Sequence, residues 1–182
     1  MARIYLVRHG RAAAGFNEDR DPGLDATGQA QAAALARQLA PLAPIDLVTS
    51  PLRRTRETAA PLERLISQHA RIVDAVAEIP SPSADLAARG EWLRAAMQGG
   101  WSDLAPEYQQ WRRDVVAYLC SLSRNTIVFS HFIAINAAIG HATGDDRLRC
   151  HSPDNCSVTI FDVAGGELLL VERGAEGQTR IN

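Results

Sequence analysis

Three short polar clusters interrupt otherwise apolar stretches: Arg8-His9-Gly10, Ser50-Pro51-Leu52-Arg53-Arg54 and Ser130-His131. Each follows directly on a short run, Arg3 to Val7, Asp46 to Thr49 and Thr126 to Phe129, that reads as a buried strand. In open α/β sheets ligands sit beyond the carboxyl ends of the strands, so the three clusters are placed to converge on one pocket. Two histidines and at least two arginines in one pocket suit a phosphate. Arginine offers planar, permanently charged donors, and imidazole can serve as nucleophile or as donor.

The elements that must position these clusters follow from spacing and breakers. Thr27 reads as the N-cap of an Ala-rich helix to about Leu39, ended by Pro41 and Pro44. Ser50-Pro51 opens a helix from about Leu52 to Gln68, with a kink or break expected at Pro61. A third strand is expected over Arg71 to Val76. One or two short helices fall between Pro80 and Pro106, with Gly99-Gly100-Trp101 as a flexible joint and Trp101 a candidate mobile cover, though packing is the simpler role for it. Helices follow at Glu107 to Leu122 and Phe132 to Ile139, and strands at Ser157 to Val163 and Glu167 to Val171 meet in a Gly165-Gly166 hairpin. The alternation predicts an α/β fold: a three-layer α/β/α sandwich, its central sheet mostly parallel with an antiparallel edge strand. Without repeats, linkers or low-complexity stretches, residues 1–182 read as a single domain, with a short cap or insertion around 80–106.

Composition narrows the chemistry. The 182 residues are 46% hydrophobic and 22% charged, ordinary for a globular chain. All 19 basic residues are arginine. A lysine Schiff base and a Walker-type phosphate loop are therefore excluded. A net charge of −2 gives no global attraction to nucleic acid. No apolar run is long enough to span a membrane, and MARIYLVRHG lacks the layout of a signal peptide. Three cysteines, Cys120, Cys150 and Cys156, odd in number and without metal-ligand spacing, fit a reduced, cytoplasmic protein. His69, His141 and His151 read as structural or exposed.

With Leu6-Val7-Arg8-His9-Gly10, Ser50-Pro51-Leu52-Arg53-Arg54 followed by Thr58, and Ser130-His131, the chain resembles the histidine phosphatase superfamily, also called phosphoglycerate-mutase-like. Weaker echoes are Gly28-Gln29-Ala30 and Asn155-Cys156-Ser157-Val158. The resemblance implies two steps. His9 attacks phosphorus and becomes phosphohistidine, and water or another acceptor then takes the phosphoryl group. It further implies that Arg8, Arg54 and His131 hold the phosphoryl oxygens, with Asn17 the counterpart of a loop asparagine, and that Glu78 is the proton donor to the leaving oxygen. No metal and no cofactor are implied, the arginines supplying positive charge.

The chain departs from the family pattern at four places: Phe132 where glycine often follows the second histidine, Arg11-Ala12 after the first motif, a more distant Asn17, and Ile79-Pro80-Ser81-Pro82 after Glu78. The resulting expectation is a metal-independent phosphatase acting on a small phosphomonoester, with neither nucleic acid nor membrane as partner. Its oligomeric state is open, a homodimer included. Three alternatives stand beside it: a phosphoglycerate-mutase-type phosphotransferase, a phosphohistidine-protein phosphatase and a non-catalytic phosphate-binding protein. A mutase needs a larger cap than residues 80–106 can build, and an idle binding protein would have no need of His9.

Overall fold

Strand β1 (Ala2–Arg8) lies inside the sheet and is buried on both faces at its carboxyl end, which explains why Leu6 and Val7 are both apolar. Its alternate side chains serve two cores. Ile4 and Leu6 join one cluster, and Val7 joins another on the opposite face. The computed structural model describes residues 1–15 and 17–177. Across them β1 pairs in parallel with β4 (Thr126–Ser130), which pairs in parallel with β2 (Asp46–Thr49), which pairs in parallel with β3 (Arg71–Ile72). On its other side β1 meets β5 (Val158–Ala164) antiparallel, and β5 meets β6 (Glu167–Glu172) antiparallel. The sheet order is thus β3-β2-β4-β1-β5-β6. The sheet is mostly parallel, with the β5–β6 hairpin as its antiparallel edge. Gly165 and Gly166, at φ 61° and 82°, join the two hairpin strands, a left-handed turn that glycine adopts without strain.

Helices cover both faces. Leu35 and Leu39 of α1 (Ala26–Leu39) and Leu62 of α2 (Arg53–Ile66) pack on Val7, Leu47, Ile127 and Phe129. On the other face Val115 and Leu119 of α4 (Pro106–Cys120) and Ile135 and Ile139 of α5 (Phe132–Thr143) pack on Ile4, Leu6, Val48 and Val128. Helix α5 is buried from Phe132 to Gly140, as a helix apolar on nearly every side must be. Its one polar side chain there, Asn136, is hydrogen-bonded to Phe132 O and to the Cys150 and His151 N–H groups. A third cluster seats α3 (Leu86–Ala96) through Leu93 against Ile79, Phe132, Ile133 and Leu148.

Several boundaries differ from the sequence reading. Asp25, not Thr27, caps α1: its Oδ1 accepts Gly28 N–H at 2.7 Å, and Thr27 already lies in the first turn. Helix α2 continues through Pro61. Strand β3 stops at Ile72, and Asp74–Val76 turns into a 3-10 helix. Trp101 is neither a hinge nor a cover. It is 1% exposed, stacks on Trp111 with ring centroids 5.8 Å apart, and has the Arg112 guanidinium 5.3 Å from its ring.

Candidate active site

Because β1, β2 and β4 are parallel, their carboxyl ends share one edge of the sheet. Backbone bonds continue past the strands and lock these ends together. His9 N–H donates to Ser130 O (3.1 Å), Ser50 N–H to Phe129 O (3.0 Å) and Arg8 N–H to Ser157 O (3.1 Å). The loop after His9 is drawn onto α1 by glycine. A Cβ on Gly10 would stand 2.7 Å from Gly28 O, and one on Gly28 would stand 2.1 Å from Arg11 O. Neither position tolerates a side chain, which gives Gly28-Gln29-Ala30 its physical meaning.

The four residues at the centre come together. His9 Nδ1 lies 2.8 Å from Gly10 O. A carbonyl only accepts, so Nδ1 carries the proton and Nε2 is bare. Arg54 Nε–H donates to that bare Nε2 at 3.2 Å. The His9 and His131 ring centroids are 5.3 Å apart. Arg8 donates from Nη1 to Pro153 O at 2.7 Å, and its guanidinium lies 5.1 Å from the Phe132 ring centroid, a cation–π contact. Phe132 thus takes part in the site as a platform for Arg8.

The electrostatics favour an anion. Burial, with Arg54 and Arg8 close by, pushes His9 well below the ordinary imidazole range. His131 is pushed down in the same way, with burial the largest cause, followed by Arg54, His9 and Arg8. Both rings are neutral at pH 7. Burial also draws Arg8 down to about 10 and lowers Arg54, yet both arginines remain charged. Glu78 is pushed above the usual carboxyl range by burial, against the opposing pull of Ile79 N–H, Arg54, Ile133 N–H and Arg8. Its carboxylate accepts Ile79 N–H at 3.0 Å and Ile133 N–H, in the first turn of α5, at 3.2 Å. Burial pushes the Cys156 thiol up to about 12, which makes it a poor nucleophile beside Arg8.

Asn17 stands apart. It is exposed and sits against α3, where a Cβ on Gly90 would be 2.8 Å from its own. No hydrogen bond joins it to His9, Arg54 or His131 among the described residues. Arg53 points away from the centre and donates from Nε to Glu57 at 2.7 Å. His151 is buried in another network, with Nε2 3.0 Å from Gly174 O and Nδ1 2.9 Å from Glu176.

Supporting residues were less legible in the sequence. Thr58 Oγ1 accepts Gly10 N–H at 3.0 Å and donates to Arg54 O at 2.7 Å, so it ties the His9 loop to the first turn of α2. Asn155 Nδ2 donates to His9 O at 3.0 Å. Their presence in the motifs Arg53–Thr58 and Asn155–Val158 was the available signal. Pro153 holds Arg8 through a backbone carbonyl and left none.

Comparison with known proteins bears on the family and the fold. The sequence model of the histidine phosphatase superfamily (branch 1) matches residues 4–175. Among solved structures, phosphoserine phosphatase from Entamoeba histolytica in complex with 3-phosphoglyceric acid superposes with a TM-score of 0.76 at 18% identity, covering 98% of each chain. The mycobacterial glucosyl-3-phosphoglycerate phosphatase complexed with VO3 gives 0.74 at 20% identity, over 98% of this chain and 100% of that one. YhfR from Bacillus stearothermophilus gives 0.76 at 19%, over 97% and 98%. At these identities the likeness establishes the fold. An uncharacterized protein from Mycobacterium tuberculosis is 45% identical over 64 residues, a stretch spanning 33% of this chain and 32% of that relative.

Proposed function

Since the chain belongs to the histidine phosphatase superfamily, branch 1, we propose that it is a metal-independent phosphatase that hydrolyses a small phosphomonoester through a phosphohistidine at His9. One observation carries this reading: His9 Nε2 is held bare by the Nδ1–H bond to Gly10 O, with Arg54 Nε–H 3.2 Å away. A neutral imidazole with a fixed lone pair beside buried guanidinium groups is a nucleophile facing an anion pocket.

In the first step a phosphoryl group enters between Arg8 and Arg54, which draws the Arg54 N–H from Nε2 onto an oxygen. The Nε2 lone pair attacks phosphorus as the bond to the leaving oxygen breaks. Glu78, whose hold on a proton is strengthened by burial and by the incoming dianion, gives its proton to that oxygen. In the second step water attacks the phosphohistidine. Glu78 carboxylate takes a proton from the water, the P–N bond breaks, and the lone pair returns to Nε2. Arg8, Arg54 and His131 stabilise the charge on the equatorial oxygens in both steps. Asn17 would join them only if the loop carrying it closes inward from α3.

A panel of phosphomonoesters, with 3-phosphoglycerate and a phosphohistidine peptide included, tests the reading by phosphate release in the presence of EDTA. Hydrolysis of at least one small ester, inhibited by vanadate, is expected. Activity abolished by EDTA and restored by a divalent ion would contradict it. Transfer to an acceptor ester without phosphate release would favour the mutase alternative.

A further inference from the structure

A neutral imidazole has one N–H, so each ring nitrogen presents either a proton or a lone pair. For His131 the partner of Nε2 decides which. His131 and Ser50 are both 0% exposed, and Nε2 lies 2.8 Å from Ser50 Oγ. The same oxygen accepts Leu52 N–H at 3.2 Å. These are the hydrogen bonds of Ser50 Oγ among the described residues. If Nε2 carried the proton, both neighbours of Oγ would be donors, so the hydroxyl proton and the Nδ1 lone pair would both be left unmatched, against a single unmatched Nδ1–H in the other tautomer. If the hydroxyl donates to Nε2 instead, all three groups are matched and the ring proton sits on Nδ1. His131 Nδ1 is itself buried and without a partner among the described residues. It is thus an unmatched donor, on a ring that has His9 5.3 Å away between centroids and Arg54 and Arg8 close enough to weigh on its charge.

We propose that Ser50 is a positioning residue whose hydroxyl donates to His131 Nε2 and so sets His131 as an Nδ1–H donor to a phosphoryl oxygen. The backbone of Leu52, at the start of α2, orients the hydroxyl by donating to its oxygen. The two histidines then share one tautomer and use it in opposite senses: His9 turns a lone pair to the pocket, and His131 turns an N–H. The catalytic consequence rests on the phosphoryl-transfer reading above; the tautomer itself does not.

The test is 15N–1H NMR of histidine-labelled protein, with and without orthovanadate, together with kinetics. In the wild type, His131 is expected to show a bare Nε2 and a protonated Nδ1, and vanadate should shift the Nδ1–H resonance. Ser50→Ala should give a mixture of His131 tautomers and lower kcat by about 10–100-fold, as loss of a partner that orients a site histidine does, with KM little changed. Ser50→Thr, which keeps the hydroxyl, should restore the tautomer and most of kcat. A protonated Nε2 in the wild type overturns the inference, as does a Ser50→Ala variant with an unchanged His131 tautomer. The expected tautomer and vanadate shift in a chain that hydrolyses no ester would leave the inference standing and sink the phosphatase reading alone.

Discussion

The cluster at the strand ends and the segment that carries α3 are built on different physics. The centre rests on strand ends joined by backbone hydrogen bonds, with Arg8, His9, Arg54 and His131 all buried. The α3 segment is fastened by an N-cap at Asp85, by Arg20 donating to Ala84 O at 2.6 Å and by one buried leucine, Leu93. The first region is preorganised, as stabilisation of a developing charge requires. The second rests on that one buried side chain, with Trp92 and Ala96 partly buried beside it, and we propose that it is the part that adapts to a leaving group.

Five substitutions sharpen or break that contrast. The largest effect is expected at Glu78, where the two regions meet. Glu78→Gln should slow an alkyl phosphomonoester by about 10²–10⁴-fold, the usual worth of a general acid, and p-nitrophenyl phosphate little, since nitrophenolate leaves without a proton. Equal slowing of both would make Glu78 a positioning group. The same variant has a stability signature. Glu78 is raised in the folded state, so the fold holds its proton more tightly than the unfolded chain does. Stability is then lost as pH rises from the unfolded carboxyl range through the folded value. Glu78→Gln should therefore melt higher than wild type at pH 7, with the difference shrinking below about pH 4.

Next comes Arg54→Ala, expected to lower kcat by about 10²–10³-fold. Arg53→Ala should do far less, because Arg53 is exposed and paired with Glu57; comparable losses in steady-state kinetics would mean that both arginines grip the substrate. Trp101→Ala tests whether the packing beneath α3 is structural. It should cost about 3–5 kcal/mol in denaturant unfolding while leaving kcat near wild type in the folded fraction. A large kcat loss without destabilisation would restore Trp101 as a substrate cover. The smallest change is Asp85→Ala, about 1 kcal/mol through loss of the α3 cap. It should affect KM for bulky esters more than for p-nitrophenyl phosphate. Equal effects on both would show that α3 has no contact with the leaving group.

The same contrast explains what could be read from the chain alone. Strands with apolar neighbours on both faces announce themselves, and the polar clusters at their ends were legible as one pocket, with the parallel sheet as the reason they meet. Boundaries set by side-chain competition were not. Nothing local distinguishes Asp25 from Thr27 as the cap of α1, because the choice depends on which oxygen reaches Gly28 N–H. The end of β3 at Ile72 was hidden because its pairing reaches only two residues, Arg71 and Ile72, along β2. Phe132 was readable only as a departure; its service as a platform for Arg8 needs the three-dimensional meeting of β1 with α5. The segment from 80 to 105 was least legible, since its polar loops carry no periodicity.

The central claim is that His9 Nε2 becomes bonded to phosphorus during turnover. Rapid quench of the enzyme with a 32P-labelled ester, followed by peptide mapping, measures this most directly. The account predicts an acid-labile, base-stable phosphoryl group on the peptide containing His9 in the wild type, and none in a folded but inactive His9→Ala. Undiminished hydrolysis by His9→Ala, or label found on another residue, would contradict it.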